Sequence, residues 1–286
     1  MCDGGTVESL AAAILDIACV FNVAAQETDM PARIEQDGHS AESRPLDELT
    51  ITVVHDNYPC VESLRTAWGF AAYIAGAEKS ILFDTGSDGT LLLENMAKLQ
   101  IDPAGIDVVV LSHVHGDHAG GLAGLLDVNP RVHVYLPESF PARVKDLVRG
   151  RGASMTEVGE PQQICGNVYS TGSLGRRIQE QALAIRTQRG LVILTGCAHP
   201  GVARIVSEIH RQHPGDIALV MGGFHLEWTM SRRVRGIIAG FRECGVRCVA
   251  PTHCSGVKAR EQFREAYGRQ FIEVGAGKVV TLAALP

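Results

Sequence analysis

The residues best suited to chemistry form one short run, His113-Val114-His115-Gly116-Asp117-His118. Imidazole nitrogens and carboxylate oxygens are ligands that borderline-soft divalent metal ions prefer. The apolar segment 108–111 before the run is typical of a buried strand, and a glycine-rich segment follows it. A turn at a strand end can direct two of the histidines to one side and Asp117 with His118 to the other. The spacing therefore favours two neighbouring metal positions over a loop that is rich in histidine by chance.

Three later histidines occur in the same setting as His113. His199, His225 and His253 each stand at or just past the end of an apolar segment that has the pattern of a buried strand. Irregular segments at strand ends are where α/β folds place ligand sites. One such histidine alone would more often be structural, but four in the same setting favour a metal site.

Composition limits the classes of function. The chain has 286 residues, of which 45% are hydrophobic and 20% charged, and these values are typical of a globular protein. The net charge is −6 and the basic residues are scattered, which argues against nucleic acid as a partner. No long uncharged apolar span predicts a membrane helix. We expect a cytoplasmic protein that acts on a small-molecule substrate without a nucleic-acid or membrane partner, and a homo-oligomer stays open.

Residues 1–48 differ from the rest of the chain. The apolar stretch 10–21 has the length of a signal-peptide core, but Asp3 and Glu8 precede it, no basic residue does, and Asp16 interrupts it. We interpret residues 1–48 as a non-secretory arm, consisting of a short helix and a polar linker. Residues 49–286 are predicted to form one domain.

Hydrophobic periodicity after residue 49 predicts alternating strands and helices. Strands are expected at 51–54, 68–74, 80–83, 108–111, 132–135, 181–187, 191–198, 217–224 and 247–252. Helices are expected at 87–98, 138–149, 202–212, 231–243 and 257–267. Residues 151–175 are rich in glycine and turn residues and receive no element, and two short strands are expected to close the chain.

The eight cysteines form no Cys-x-x-Cys pair, and a chain of this length is not a small disulfide scaffold. Cys197 and Cys254 stand close to candidate histidines. We nevertheless interpret the cysteines as reduced, structural thiols rather than as disulfides or metal ligands.

The run at 113–118, together with His199 and His253, resembles the metallo-β-lactamase superfamily, and the similarity extends from about residue 50 to the C-terminus. Shorter motifs resemble a branch that includes metal-dependent hydrolases and the dihydropterin-methyl-ribofuranosylaminobenzene 5'-phosphate synthase of methanopterin assembly. These motifs are His55-Asp-Asn, Phe83-Asp-Thr-Gly, Gly196-Cys-Ala-His, Gly222-Gly-Phe-His-Leu and Pro251-Thr-His-Cys. The resemblance implies an α/β fold, an αββα sandwich of two mixed sheets flanked by helices, with the site along one edge.

The resemblance also implies roles for individual residues. The first metal position would be held by His113, His115 and His199. The second would be held by Asp117, His118 and His253. Asp84 and Asn57 would hold ligand histidines in place from outside the metal positions. The expected cofactor is one or two Zn²⁺ ions, although other divalent metals suit the same donors.

The chain departs from the common superfamily pattern at residues 222–225. Many members with two metals have a bridging aspartate at this strand end, whereas this chain reads Gly222-Gly223-Phe224-His225. Full occupancy of the second metal position therefore stays open. His225 and Asp117 are the candidate catalytic residues, and His225 either binds metal, contacts substrate or only packs.

The ligand set suggests three functions. The first hypothesis is a hydrolase in which a zinc-activated hydroxide, oriented by Asp117, attacks an ester, lactone, amide or phosphoester. The alternative is a transferase that condenses a pterin diphosphate with a ribofuranosylaminobenzene phosphate. A third is a metal-binding or ligand-sensing protein with little turnover. Four aromatic residues either wall a flat substrate pocket or pack in the core, namely Tyr58, Trp68, Phe224 and Trp228.

Overall fold

The computed structural model describes residues 45–286, and the first of two sheets in this range contains seven strands. They are β1 (Thr50–His55), β2 (Ala71–Ala75), β3 (Ile81–Phe83), β4 (Val108–Val110), β5 (His133–Pro137), β6 (Ser154–Val158) and β13 (Val279–Thr281). Their order across the sheet is β13-β1-β2-β3-β4-β5-β6. The strands from β13 to β3 pair antiparallel, and those from β3 to β6 pair parallel.

The second sheet contains six strands within the same residues. They are β7 (Gln162–Cys165), β8 (Val168–Ser170), β9 (Leu183–Thr187), β10 (Gly190–Thr195), β11 (Ile217–Gly223) and β12 (Val246–Thr252). Their order is β12-β11-β10-β9-β8-β7, antiparallel from β7 to β10 and parallel from β10 to β12.

Helices cover the outer faces of both sheets. The first sheet carries α1 (Gly89–Lys98), α2 (Gly116–Ala119), α3 (Leu122–Val128) and α4 (Ala142–Gly150). The second carries α5 (Val202–Gln212), α6 (Ser231–Glu243) and α7 (Val257–Tyr267). Across residues 45–286 we find no helix whose length and apolarity would suffice to cross a bilayer.

Strand β10 shows why the two sheets pack against each other with the helices outside them. Val192 and Leu194 are buried in the apolar cluster between the sheets, whereas Leu191 and Ile193 are buried in the cluster under α5, α6 and α7. Because both faces of the strand are covered, its sequence is a continuous apolar run rather than an alternating one. A third cluster lies between the first sheet and its helices. The predicted αββα sandwich is confirmed.

Some predicted elements were wrong. Residues 151–175, to which no element was assigned, contain β6, β7 and β8, and these short strands have few apolar residues because β6 and β7 lie at sheet edges. The helix predicted from residue 138 begins at Ala142. Of the two closing strands, the described residues contain only β13, while Phe271 makes an isolated bridge to Val249.

The predicted arm falls mostly on residues 1–44, which lie outside the described residues. Within the described part of the arm, the Leu46 backbone bonds to the end of β9: its N–H donates to Arg186 O (3.2 Å) and its carbonyl accepts from Gln188 N (2.9 Å). Backbone pairing with the second sheet therefore starts before residue 49.

Candidate metal centre

The candidate site lies where the carboxyl ends of parallel strands meet. Asp84 directly follows β3, and the loop after β4 carries the run 113–118. In the second sheet, His199, His225 and His253 follow β10, β11 and β12, which are parallel neighbours. Strand direction thus brings all these side chains to one edge of the sandwich.

His113, His115 and His199 form a first group of donors. His113 Nε2 lies 3.0 Å from His115 Nδ1, and His199 Nε2 lies 3.2 Å from each of these two atoms. Burial and the neighbouring imidazoles lower the pKa of His113 well below its ordinary value. Burial and His225 lower the pKa of His199 to about 4. Neutral imidazoles with converging nitrogen atoms are the form in which histidine binds a metal ion.

Asp117, His118 and His253 form a second group, and the thiol of Cys197 lies within it. His118 Nε2 is 3.2 Å from both His253 Nε2 and Cys197 Sγ. Asp117 Oδ2 lies 3.6 Å from His118 Nε2 and 3.4 Å from His253 Nε2. The donors of this group are therefore close enough to share one ion.

Hydrogen bonds from outside the two groups fix the protonation of the histidines. Asp84, which is fully buried, lies 2.7 Å from His118 Nδ1 and accepts from Ser112 Oγ (2.7 Å), which in turn lies 2.9 Å from His113 Nδ1. Asn57 Oδ1 lies 2.9 Å from His253 Nδ1. Carboxylate and amide oxygens only accept, and the Ser112 hydroxyl already donates its proton to Asp84, so each of these Nδ1 atoms carries the proton and leaves Nε2 free as a ligand. The donor set therefore fits a metal ion.

His225 lies beside both groups. Its ring centroid is 4.4 Å from that of His199, and its imidazole forms a third set of close donors with Cys197 and Cys254. A hydrogen bond with the Cys254 thiol raises the pKa of His225. The side chain is exposed, so His225 does not pack in the core.

Unusual backbone conformations concentrate at this edge. Asp84, Ala198, His225 and His253 have φ values between 50° and 61°, in the left-handed region that non-glycine residues rarely adopt. Such conformations cost about 1–3 kcal/mol each and persist where surrounding contacts enforce them. Here they lie at strand ends beside the candidate donors.

Sequence reasoning missed Glu180 and did not include Cys197 among the candidate donors. The fully buried Glu180 carboxylate accepts from the backbone N–H groups of Cys197 (2.9 Å), Ala198 (2.7 Å) and His199 (2.8 Å), and burial raises its pKa to about 7. Nothing in its turn-rich surroundings marked it. Cys197 was interpreted as a structural thiol, and the structure places its Sγ among the candidate donors of the second group.

Two cavities adjoin the centre. A larger one of about 670 Å³ is lined by His199 and His225 and by Arg204 and Arg233 from α5 and α6. A smaller one of about 320 Å³ is lined by Trp68, Trp228, His225 and Cys254, among others. His225 belongs to both cavities and so marks their junction.

Two of the four aromatic residues singled out in the sequence pack against other side chains, although Phe224 is also among the residues that line the larger cavity. Tyr58 packs under the guanidinium of Arg260, whose Cζ is 3.9 Å from the ring centroid. Phe224 is 1% exposed and packs against Phe241 and Phe263 under the helices of the second sheet. Only Trp68 and Trp228 are exposed, at 47% and 92%.

Comparison with known proteins gives consistent matches. The Metallo-beta-lactamase superfamily matches residues 69–222. A 7,8-dihydropterin-6-methyl-4-(beta-D-ribofuranosyl)-aminobenzene-5'-phosphate synthase of Methanocaldococcus jannaschii is 28% identical over 250 residues, covering 72% of this chain and 85% of the relative. Tm1679, described as a metal-dependent hydrolase of the beta-lactamase superfamily, superimposes with a TM-score of 0.70 at 26% identity, covering 81% of this chain and 98% of that chain. The metallo-beta-lactamase fold protein YhfI from Bacillus subtilis shares the fold, with a TM-score of 0.60 at 15% identity and coverage of 81% and 99%.

These matches correct the leading functional hypothesis. The hydrolase assignment was wrong, because the relative with a specific named activity, aligned over 72% of this chain, is a synthase, whereas the description of Tm1679 supports hydrolysis only at the level of the superfamily. The matches do support an enzymatic activity, and they agree with the presence, in residues 45–286, of groups of donors that could hold a metal ion. Because the family match spans more than half of the residues of this chain, the chain belongs to the metallo-beta-lactamase superfamily.

Proposed function

We propose that the protein is a metal-dependent transferase that condenses a pterin diphosphate with a ribofuranosylaminobenzene phosphate. The proposal follows the synthase relative, which aligns over 72% of this chain. In this reaction the aromatic amine nitrogen forms a bond to the methylene carbon of the pterin, the bond from that carbon to the diphosphate oxygen breaks, and the amine loses a proton.

The observation that carries the proposal is the pair of cavities that meet at His225. A condensation needs room for two substrates on either side of the reacting atoms, and the two cavities provide separate walls of suitable chemistry. The smaller cavity has the exposed rings of Trp68 and Trp228, on which a flat pterin would stack.

The larger cavity suits the phosphate-bearing substrate. Arg204 and Arg233 are exposed along its wall, and neither forms an ion pair with another residue of the range 45–286. Guanidinium groups bind phosphate through paired, charge-assisted hydrogen bonds. The phosphate of the ribofuranosylaminobenzene substrate would therefore bind here, with its amine directed toward His225.

The metal ligands and their neighbours would act on the diphosphate end. A bound divalent ion supplies a Lewis acid that stabilises charge on a phosphoryl oxygen. His113, His115 and His199 would hold that ion, and Ser112, which donates to Asp84, keeps the ring and tautomer of His113 in place. His225, which faces both cavities, would accept the proton that the amine loses. Asp117 would add a carboxylate oxygen beside His118 and His253, since its Oδ2 lies 3.6 Å and 3.4 Å from their Nε2 atoms.

The proposal is tested by mixing zinc-loaded protein with the pterin diphosphate and the ribofuranosylaminobenzene phosphate. We expect the condensed product and inorganic diphosphate in equal amounts, identified by chromatography and mass spectrometry. His225→Ala should lower the rate, while His213→Ala is a matched control because its ring packs on Tyr169 away from the centre. Release of diphosphate without condensed product would overturn the proposal.

A second measurement tests the phosphate wall. Arg204→Ala combined with Arg233→Ala should raise KM for the phosphorylated amine by about 10-fold, the effect of losing about 1.4 kcal/mol of binding. The dephosphorylated amine should show no such change. Arg232→Ala is the control, because Arg232 lies next to Arg233 on α6 but does not line the larger cavity. Equal effects on both amines would exclude a phosphate contact.

A further inference from the structure

The second group of donors has a gap where related sites carry a bridging carboxylate, and the backbone explains it. A Cβ on Gly222 would lie 2.0 Å from Thr195 O, and one on Gly223 would lie 2.3 Å from Gly196 O and 2.7 Å from Cys254 Sγ. These separations are far shorter than any real Cβ contact. The close approach of β10 and β11 therefore excludes every side chain, including an aspartate, from both positions.

Cys197 supplies a donor to the second group from the neighbouring strand end. Its Sγ lies 3.2 Å from His118 Nε2, and it belongs to a set with Asp117 and His253 in which all ligand atoms lie within 4.8 Å of one another. Tetrahedral zinc with bonds of about 2.0–2.3 Å places its ligand atoms about 3.3–3.6 Å apart. Four of the six separations in this group run from 3.2 to 3.6 Å, close to the edges of that tetrahedron, and the two from Cys197 Sγ to Asp117 and His253 are no longer than 4.8 Å.

The thiol is held in place by its own backbone. Glu180 accepts from the N–H groups of Cys197 and Ala198, Ala198 takes a left-handed φ of 61°, and the Cys254 thiol lies 3.6 Å from Cys197 O. Cys197 is only 3% exposed. A buried donor that is fixed on both sides of its backbone would need no rearrangement to bind an ion.

We infer that Cys197 is a metal ligand and that the second position has four protein ligands, Asp117, His118, Cys197 and His253. Four-coordinate protein sites are closed, whereas sites with three protein ligands keep a position for substrate. The first position has only three histidines, two of which are partly exposed, and His199 lines the larger cavity. The two positions thus differ in role: the second is structural, and the first is open to substrate. This inference does not depend on which reaction the enzyme catalyses.

The test uses Co²⁺ in place of zinc, under reducing conditions. A thiolate bound to Co²⁺ gives a sulfur-to-metal charge-transfer band in the near ultraviolet, which histidine and carboxylate ligands do not give. We expect this band in the wild-type protein and in Cys254→Ser, whose buried thiol is the matched control. We expect no band in Cys197→Ser or Cys197→Ala. In both Cys197 variants, the metal affinity of the second position should fall by more than the roughly 10–100-fold that removal of a residue outside the ligand set costs.

The first position serves as the control for folding. A Cys197 variant that still binds Co²⁺ through its three histidines is folded, and its lost band then reports the ligand. Two bound Co²⁺ ions without a band in the wild type would overturn the inference. Loss of the band in both Cys197→Ser and Cys254→Ser would also overturn it, because the thiols would then bind together with His225. Neither result depends on enzyme activity, so failure of the condensation assay would count against the proposed reaction but not against Cys197 as a ligand.

Discussion

The two sheets contribute to the metal centre in different ways. The first sheet supplies a compact set, with four donors inside residues 113–118 and Asp84 at the end of the adjacent strand. The second sheet supplies donors at three separate strand ends, at residues 197–199, 225 and 253–254. A compact motif positions its donors by local chain geometry, but dispersed donors meet only if parallel strands keep their register.

The backbone shows the same contrast. Of the left-handed residues at the centre, only Asp84 belongs to the first sheet, while Ala198, His225 and His253 belong to the second. Strained conformations need support from packing. The second sheet provides it through Glu180 and through the close contact of Gly223 with Gly196, whose N–H to O distance is 3.0 Å. The dispersed half of the site therefore depends more on tertiary structure than the compact half does.

The largest effect is expected from replacing a histidine of the first metal position, and it should be the same whichever sheet supplies that histidine. His113→Ala and His199→Ala should be equally damaging, although 86 residues separate them, because each removes one of the three donors at the first position. We expect each variant to lose about one metal equivalent per chain and at least about 100-fold in turnover. Metal analysis beside kinetics measures both. Full metal retention in His199→Ala alone would separate the two sheets in function.

A smaller effect is expected from removing a residue that holds a ligand histidine in place: Asp84 holds His118, a first-sheet ligand, and Asn57 holds His253, a second-sheet ligand. Asp84→Ala should weaken metal binding by about 10–100-fold, since outer partners of ligand histidines have effects of this size. Asn57→Ala should fall at the lower end, because Asn57 is neutral and holds only His253, whereas Asp84 contacts both His118 and Ser112. Zinc competition with a chelator gives both affinities. The reverse order would mean that the second-sheet ligand is the more finely positioned one.

The smallest effect is expected on stability, when a side chain is added where β10 and β11 approach closely in the second sheet. Gly223→Ala should destabilise the protein by about 1–3 kcal/mol, the usual cost of overpacking, because its Cβ would overlap Gly196 O. Gly240→Ala in α6 meets nothing within 4 Å and should instead stabilise by about 0.5–1 kcal/mol. Urea unfolding of both variants measures the difference. Unchanged stability in Gly223→Ala would show that β10 and β11 can separate without cost.

The sequence determined the elements whose signal is local. The helices at 202–212, 231–243 and 257–267 have the predicted bounds, because their apolar residues repeat at helical spacing and glycines or polar residues mark their ends. The run at 113–118 could be recognised because its donors are neighbours in the chain. Asp84 and Asn57 were placed by resemblance, and their contacts with His118 and His253 are those that an outer partner would make.

Only the tertiary structure decided what depends on distant pairing. Strands β6, β7 and β8 are three to five residues long, and pairing with neighbouring strands rather than their own apolar pattern makes them strands. Glu180 acquires its role only because the 196–199 turn folds over its carboxylate. Cys197 lies beside His118, 79 residues away, because β10 and β4 end at the same edge of the sandwich. Spacing along the chain encodes neither contact, since each arises from the register and stacking of two sheets.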